Sequence, residues 1–188
     1  MVAGPLNGLK IAILATDGVE EVELAEPRKA LEEAGAKTTL LAPKSGKIQA
    51  MRHDEKAGQF TVDAVLDWAK AGDFDAVLLP GGALNADALR MEDPARRFIG
   101  QMDKAGKPIA VICHAPWLLI SAGLVKGRKL TSYHTIQDDL RNAGAQWMDQ
   151  SVVRDGNWVS SRQPSDLPVF NREVIQLFSE IKGAQRAA

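Results

Sequence analysis

A single cysteine, Cys113, stands in the 188 residues of the chain. One thiol cannot form an internal disulfide framework or a Cys-cluster zinc site, and nothing else in the sequence calls for a metal or a cofactor. A reducing, cytoplasmic compartment is expected. Net charge is equally scarce, with 23 Lys and Arg facing 24 Asp and Glu to give −1. That balance supplies no field for DNA, RNA or an anionic membrane surface, so no nucleic-acid or membrane partner is expected. Long apolar runs are missing too. Residues 11–15 are too short a stretch for a signal-peptide core. Residues 108–125 are broken by His114, Pro116 and Gly123, and read as strand, turn and helix rather than a membrane span.

What remains is an ordinary globular composition, 45% hydrophobic and 25% charged. The length fits one domain over residues 1–188, which would bury roughly 70% of its unfolded surface. Short apolar runs alternate with amphipathic segments, the pattern of a mainly parallel sheet covered by helices on both faces. Buried strands are expected at 9–15, 38–42, 75–79 and 108–112, and the last is wholly apolar and therefore central. Helices are expected at 22–34, with Val22, Ala25, Leu31 and Ala34 inward, and from Asp93-Pro94 to about Ala105. Further helices are read at 116–122, 136–143 and 167–181. Residues 47–60 read as a strand or hairpin excursion, 62–71 as a helix with Val65 and Leu66 inward, and 152–160 as a hairpin turning at Asp155-Gly156. The fold class is α/β, a three-layer sandwich.

The chemical signal is Cys113-His114, placed directly after the central strand and before a helix. Open α/β sheets bind ligands at the carboxyl ends of their strands. A thiol at a helix N-terminus feels the positive end of the dipole, which lowers its pKa, and the same turn offers backbone N–H groups to a developing oxyanion. A buried, inert cysteine is the usual fate of a lone thiol; the strand-end position and the adjoining histidine argue otherwise. His114 is a candidate base, although adjacent side chains tend to diverge. His134 is its rival, and His53 reads as surface. Glu20, Glu21 and Glu23 follow the first strand, and each alone reads as solvated surface or as helix N-terminal charge. Gly81-Gly82 after the third strong strand lets the backbone take positive φ or approach a ligand closely.

Several motifs together resemble the PfpI family. They are Asp17-Gly18-Val19-Glu20-Glu21-Val22-Glu23-Leu24, Leu79-Pro80-Gly81-Gly82, Ile112-Cys113-His114-Ala115-Pro116, Ile120-Ser121-Ala122-Gly123, Asp138-Asp139 and Asp155-Gly156-Asn157-Trp158-Val159-Ser160-Ser161-Arg162. These intracellular-protease-I-like proteins belong to the wider Parkinson-disease-protein deglycase superfamily, and their flavodoxin-like fold is related to class I glutamine amidotransferases. The resemblance spans residues 9–181. It implies that Cys113 is a reactive nucleophile on a strained elbow and that His114 is its neighbouring histidine. It implies that Glu20 is a protonated carboxyl hydrogen-bonding the sulfur, and that Gly82 and His114 donate the oxyanion-hole N–H groups. By the same resemblance, Asp87, on a loop after Gly82, reaches the histidine of a neighbouring subunit, so a homodimer or larger homo-oligomer is expected. The implied substrates are small reactive carbonyls, handled as a glutathione-independent glyoxalase, glycation adducts, handled as a deglycase, or peptides. A redox-responsive stress protein or holdase that senses oxidation of Cys113 is the alternative. Two departures stand out. Ala115 replaces a common glycine and is expected to narrow the pocket, and Asp87 is one methylene shorter than the glutamate of some relatives.

Overall fold

The structure, a computed structural model, describes residues 4–187, with side chains described as far as Ile181. In chain order it runs β1 (Lys10–Leu14), β2 (Val19–Glu20), α1 (Glu21–Glu33), β3 (Lys37–Ala42), β4 (Lys47–Arg52), β5 (Glu55–Thr61), β6 (Ala64–Val65) and β7 (Ala76–Leu79). There follow α2 (Ala83–Met91), α3 (Asp93–Lys104), β8 (Ile109–Ile112), α4 (Pro116–Ser121), β9 (Lys129–Leu130), α5 (Gln137–Asn142), β10 (Gln146–Trp147), β11 (Val152–Asp155), β12 (Trp158–Ser161) and α6 (Leu167–Ala187).

A seven-stranded sheet in the order β11-β12-β8-β7-β1-β3-β6 forms the middle layer. Every neighbouring pair in it is parallel except β11 with β12, the expected hairpin. Strand alternation divides the core between its two faces. Ile11 and Ile13 of β1 pack on one side with Leu24 and Leu31 of α1 and with Phe170, Val174 and Phe178 of α6. Ala12 and Leu14 point to the other side, among Leu89 of α2, Phe98 and Ile99 of α3, and Leu118 and Leu119 of α4. This is the three-layer sandwich the apolar periodicity predicts. Among the described residues no helix is long and apolar enough to cross a membrane.

Two expectations fail locally. Residues 62–71 are not a helix: Ala64 and Val65 pair with Leu41 and Ala42 as the edge strand β6, and two 3-10 turns, Leu66–Trp68 and Ala71–Asp73, follow. Leu66 is buried as expected, but Val65 is only half-buried, because a two-residue edge strand covers little of the core. The segment after Gly82, read as a loop, is the helix α2, and Asp87 lies exposed in its body. Its start escapes sequence reading because no side chain caps it.

A smaller sheet, β2-β4-β5, stands over the carboxyl rim. The β4–β5 hairpin fulfils the excursion expected at 47–60 and turns at His53 with φ +58°. Glu21 ties it down, accepting hydrogen bonds from Arg52 Nη2 at 3.0 Å and from the Gly58 N–H at 2.9 Å.

Candidate active site

Cys113 follows β8 directly and adopts φ +63°, a conformation uncommon for a residue with a Cβ. Three backbone hydrogen bonds hold the elbow. The Cys113 N–H donates to Ser161 O at 3.1 Å, the Tyr133 N–H donates to Cys113 O at 2.9 Å, and the Ala115 N–H donates to Ile112 O at 3.1 Å. Strain of this kind persists only where the surroundings over-determine it, and it concentrates at functional sites.

The thiol lies at the floor of a cleft of about 400 Å³, lined by Glu20, Glu23, His53, His114, Tyr133 and Gln163 among others. Cys113 is 7% exposed. His114 Nδ1 is 3.1 Å from its sulfur, so the adjacent pair does make contact, and His114 Nε2 is 3.3 Å from Thr135 Oγ1. Burial and then the charge of His134 pull the His114 pKa down, leaving a neutral imidazole able to accept a proton. The backbone N–H groups of Gly82 and His114 lie near enough to the sulfur to favour its charged form. Gly82 adopts φ +90°, and a Cβ there would stand 2.4 Å from Gly18 O and 2.6 Å from Glu20 N. Only glycine fits this turn against the loop before α1.

The carboxyl against the sulfur is that of Glu23. The family resemblance implied Glu20 for this place, while Glu23 read as solvated surface or helix N-terminal charge. Glu23 is 0% exposed, and its Oε2 accepts the Gly81 N–H at 3.0 Å. Its Oε1 is buried with no partner of hydrogen-bonding geometry among the described residues. Desolvation, followed by the charge of Glu20, raises its pKa to about 8. At neutral pH the group is therefore largely a protonated donor beside the thiol. Glu20 also borders the cleft, but its Oε2 accepts the His53 N–H at 3.1 Å from the hairpin tip. The register of α1 decides between them: the buried face is Glu23, Leu24, Pro27 and Leu31, while Val22 and Ala25 are only half-buried. The signal available in the sequence was the spacing of Glu23, Pro27 and Leu31, one helical stripe.

The thiol pKa is raised, not lowered as expected, first by burial and then by the Glu23 charge. Helix α4 has six residues and begins three positions after Cys113, too short and too far to impose a strong dipole. Protonation of Glu23 removes the second of these causes; burial, the first, remains, opposed by the Gly82 and His114 N–H groups.

The remaining expectations divide. Asp87 does not border the cleft of its own chain. The Ala115 methyl packs in the core with Leu118 and does not narrow the cleft. His134 is exposed and packs at a tilt on Tyr133, which in turn stacks on His114, with ring centroids 4.5 and 4.9 Å apart. His53 is exposed, as expected of a surface residue, yet it stands at the cleft mouth. Asn85, unremarked in the sequence, is fully buried: its Nδ2 donates to Pro80 O and Gly81 O at 3.1 and 2.9 Å, and its Oδ1 accepts the Thr16 N–H at 2.8 Å. It thereby fixes the glycine turn against the first loop. Among the described residues no three His, Cys, Asp or Glu side chains gather to hold a metal ion.

Comparison with known proteins finds relatives along most of the chain. The profile of the DJ-1/PfpI family matches residues 9–177. The chain is 43% identical to the deglycase TK1284 of Thermococcus kodakarensis over 169 residues, covering 90% of this chain and 99% of that protein. It is 40% identical to general stress protein 18 of Bacillus subtilis over 174 residues, covering 92% and 99%. The crystal structure of Drosophila melanogaster DJ-1beta superposes with a TM-score of 0.81 at 27% identity, covering 96% of this chain and 98% of that one.

Proposed function

The chain belongs to the DJ-1/PfpI family, and from that premise we propose that it is a stress-response enzyme whose Cys113 attacks reactive carbonyl compounds or their glycation adducts. The observation that carries this reading is the Cys113 sulfur on its positive-φ elbow, with His114 Nδ1 3.1 Å away and the fully buried Glu23 carboxyl beside it in the same cleft. With methylglyoxal, Sγ adds to the aldehyde carbon while His114 takes the thiol proton, and the resulting oxyanion meets the Gly82 and His114 N–H groups and is protonated to a hemithioacetal. With a glycation adduct, Sγ displaces the amine from that same carbon, and the amine leaves with the thiol proton. His114 then moves a proton from the first carbon to the second through an enediol. The first carbon is thereby oxidised to a thioester and the second reduced to an alcohol, with no external oxidant. Water cleaves the thioester to lactate and restores the thiol.

A peptidase would use the same nucleophile on an amide. A thiol 7% exposed at the floor of a cleft suits a small carbonyl or a side-chain adduct better than an extended backbone. A holdase would need a broad apolar surface, and among the described residues the large exposed apolar side chains are Trp68, Leu84 and Met91. Purified protein is expected to convert methylglyoxal to lactate and to release amine from its adducts, with slower cleavage of unstructured peptides. Peptide cleavage without lactate would reverse the assignment.

The unit is proposed to be a homo-oligomer. Leu84, Asp87 and Met91 lie on one stripe of α2, with Leu84 64% and Met91 72% exposed, and Leu84 also borders the cleft. A second copy docked there would cover this stripe and bring its Asp87 towards a neighbouring site. Sedimentation at micromolar concentration should show a dimer or larger species, and mixed Cys113→Ala and Asp87→Ala subunits should regain partial activity. A monomer throughout would reject the oligomer, and no recovery despite subunit exchange would reject the shared site.

A further inference from the structure

His114 can take the thiol proton only if its ring is held with an unprotonated Nδ1 at the sulfur. A neutral imidazole carries one N–H, and the proton can sit on either nitrogen. With it on Nδ1 the ring is a donor to the sulfur and no base for it. Three contacts hold the ring. Tyr133 stacks on it with centroids 4.9 Å apart and planes at 30°, and Trp117 meets it edge to face at 5.4 Å and 62°. Trp117 is itself fixed, because its Nε1 donates to Asp139 Oδ2 at 2.7 Å and the Arg90 guanidinium lies 5.4 Å from its ring centroid. The third contact is polar: Thr135 Oγ1, on the 3-10 turn His134–Ile136, stands 3.3 Å from Nε2, while Nδ1 stands 3.1 Å from the sulfur. A ring turned by half would offer carbon to both. Burial keeps the thiol protonated at neutral pH, so the S–H is the donor in the 3.1 Å contact and Nδ1 the acceptor. The ring proton then belongs to Nε2. Thr135 is exposed, so its own hydroxyl proton can go to water while its oxygen accepts.

We infer that Thr135 is a positioning residue of this site: its hydroxyl oxygen accepts the Nε2–H of His114 and so fixes the tautomer in which Nδ1 faces the Cys113 sulfur as a base. The inference rests on the reading of Cys113 as nucleophile and His114 as its base. When Sγ bonds to the carbonyl carbon, its proton passes to Nδ1 and Nε2 keeps its own. The imidazolium so formed donates to Thr135 Oγ1 more strongly than the neutral ring does. Nδ1 then gives its proton to the oxyanion, and the ring returns to the starting tautomer. Cys113, His114 and Thr135 all belong to one chain, so this alignment needs no group from a second copy.

Histidine labelled with nitrogen-15 in the ring reads the tautomer by NMR without relying on turnover, and the chain holds only three histidines. The His114 signals are identified by their loss in His114→Gln. At pH 7.5 the wild type is expected to show a protonated Nε2 and an unprotonated Nδ1. Thr135→Val keeps the shape and removes the acceptor, and it should mix the two tautomers. The same variant should lower kcat for methylglyoxal about tenfold, the worth of one hydrogen bond to a charged group, with KM within about twofold. Thr135→Ser should restore both the tautomer and kcat. Because position 135 is exposed, circular dichroism should show all three proteins equally folded. A wild-type ring protonated on Nδ1, or an unchanged tautomer in Thr135→Val, overturns the inference even if turnover falls. Equal loss of kcat in Thr135→Ser and Thr135→Val overturns it too. The expected tautomer and its response to Thr135→Val, with no turnover of methylglyoxal by the wild type, sustain the inference and overturn the proposed reaction instead.

Discussion

Cys113→Ala is expected to lose carbonyl turnover by roughly 10³–10⁶-fold, the range seen when a covalent nucleophile is removed. The fold should survive, because Ala and Cys meet the same restriction at φ +63° and the elbow is held by backbone hydrogen bonds the side chain does not make. The measurement is lactate formation from methylglyoxal, with circular dichroism to confirm folding. Residual activity above a tenth of wild type in a folded variant would remove Cys113 from the chemistry.

Glu23→Gln should remove the pH dependence that this carboxyl imposes on stability. Its pKa rises from an ordinary 4.5 in the unfolded chain to about 8 when folded, with burial the main cause. Below pH 4.5 the group is protonated in both states and contributes nothing. Between 4.5 and 8 the unfolded chain gives up the proton while the folded protein keeps it, so this group subtracts progressively from stability as pH rises, at about 1.4 kcal/mol per pH unit, and its effect is constant above 8. The total is on the order of a few kcal/mol. Glutamine mimics the protonated acid: its oxygen can accept the Gly81 N–H and its amide can donate towards the sulfur. Urea denaturation should therefore show wild type losing more stability than Glu23→Gln between pH 5 and pH 8. The Cys113 thiol should also titrate at lower pH in the variant, since the charge that repels the thiolate is gone. Equal pH slopes in the two proteins would show that Glu23 does not hold its proton in the fold.

How far the sequence disclosed the site can be judged residue by residue. The apolar run ending at Ile112 marked a central parallel strand because both faces of such a strand are buried, and it placed Cys113 at the carboxyl rim. Gly81-Gly82 announced a close approach, and the structure fills it with the thiol and Glu23. The acid was harder to read. Glu20, just before α1, and Glu23, in its first turn, are three residues apart, and a charged residue there ordinarily signals solvent. Burial of Glu23 becomes tolerable only with the Gly81 N–H and the Cys113 sulfur beside it, both brought from distant strands. The segment 62–71 carries a helix-like apolar pair, Val65 and Leu66, yet edge pairing with β3 wins there. The role of His53 was illegible for a related reason: its position over the cleft depends on the hairpin's docking through Glu21 and Glu20, which no local pattern encodes.

The central claim is that Cys113 forms a covalent bond with the carbonyl carbon. Rapid acid quench of the protein during methylglyoxal turnover, followed by intact mass and peptide mapping, tests it most directly. The account predicts a transient mass increase of one methylglyoxal unit on the peptide that contains Cys113, present during turnover, lost as substrate is exhausted, and absent from Cys113→Ala. Lactate formation with no adduct at Cys113, or with an adduct confined to arginine and lysine side chains, would contradict it.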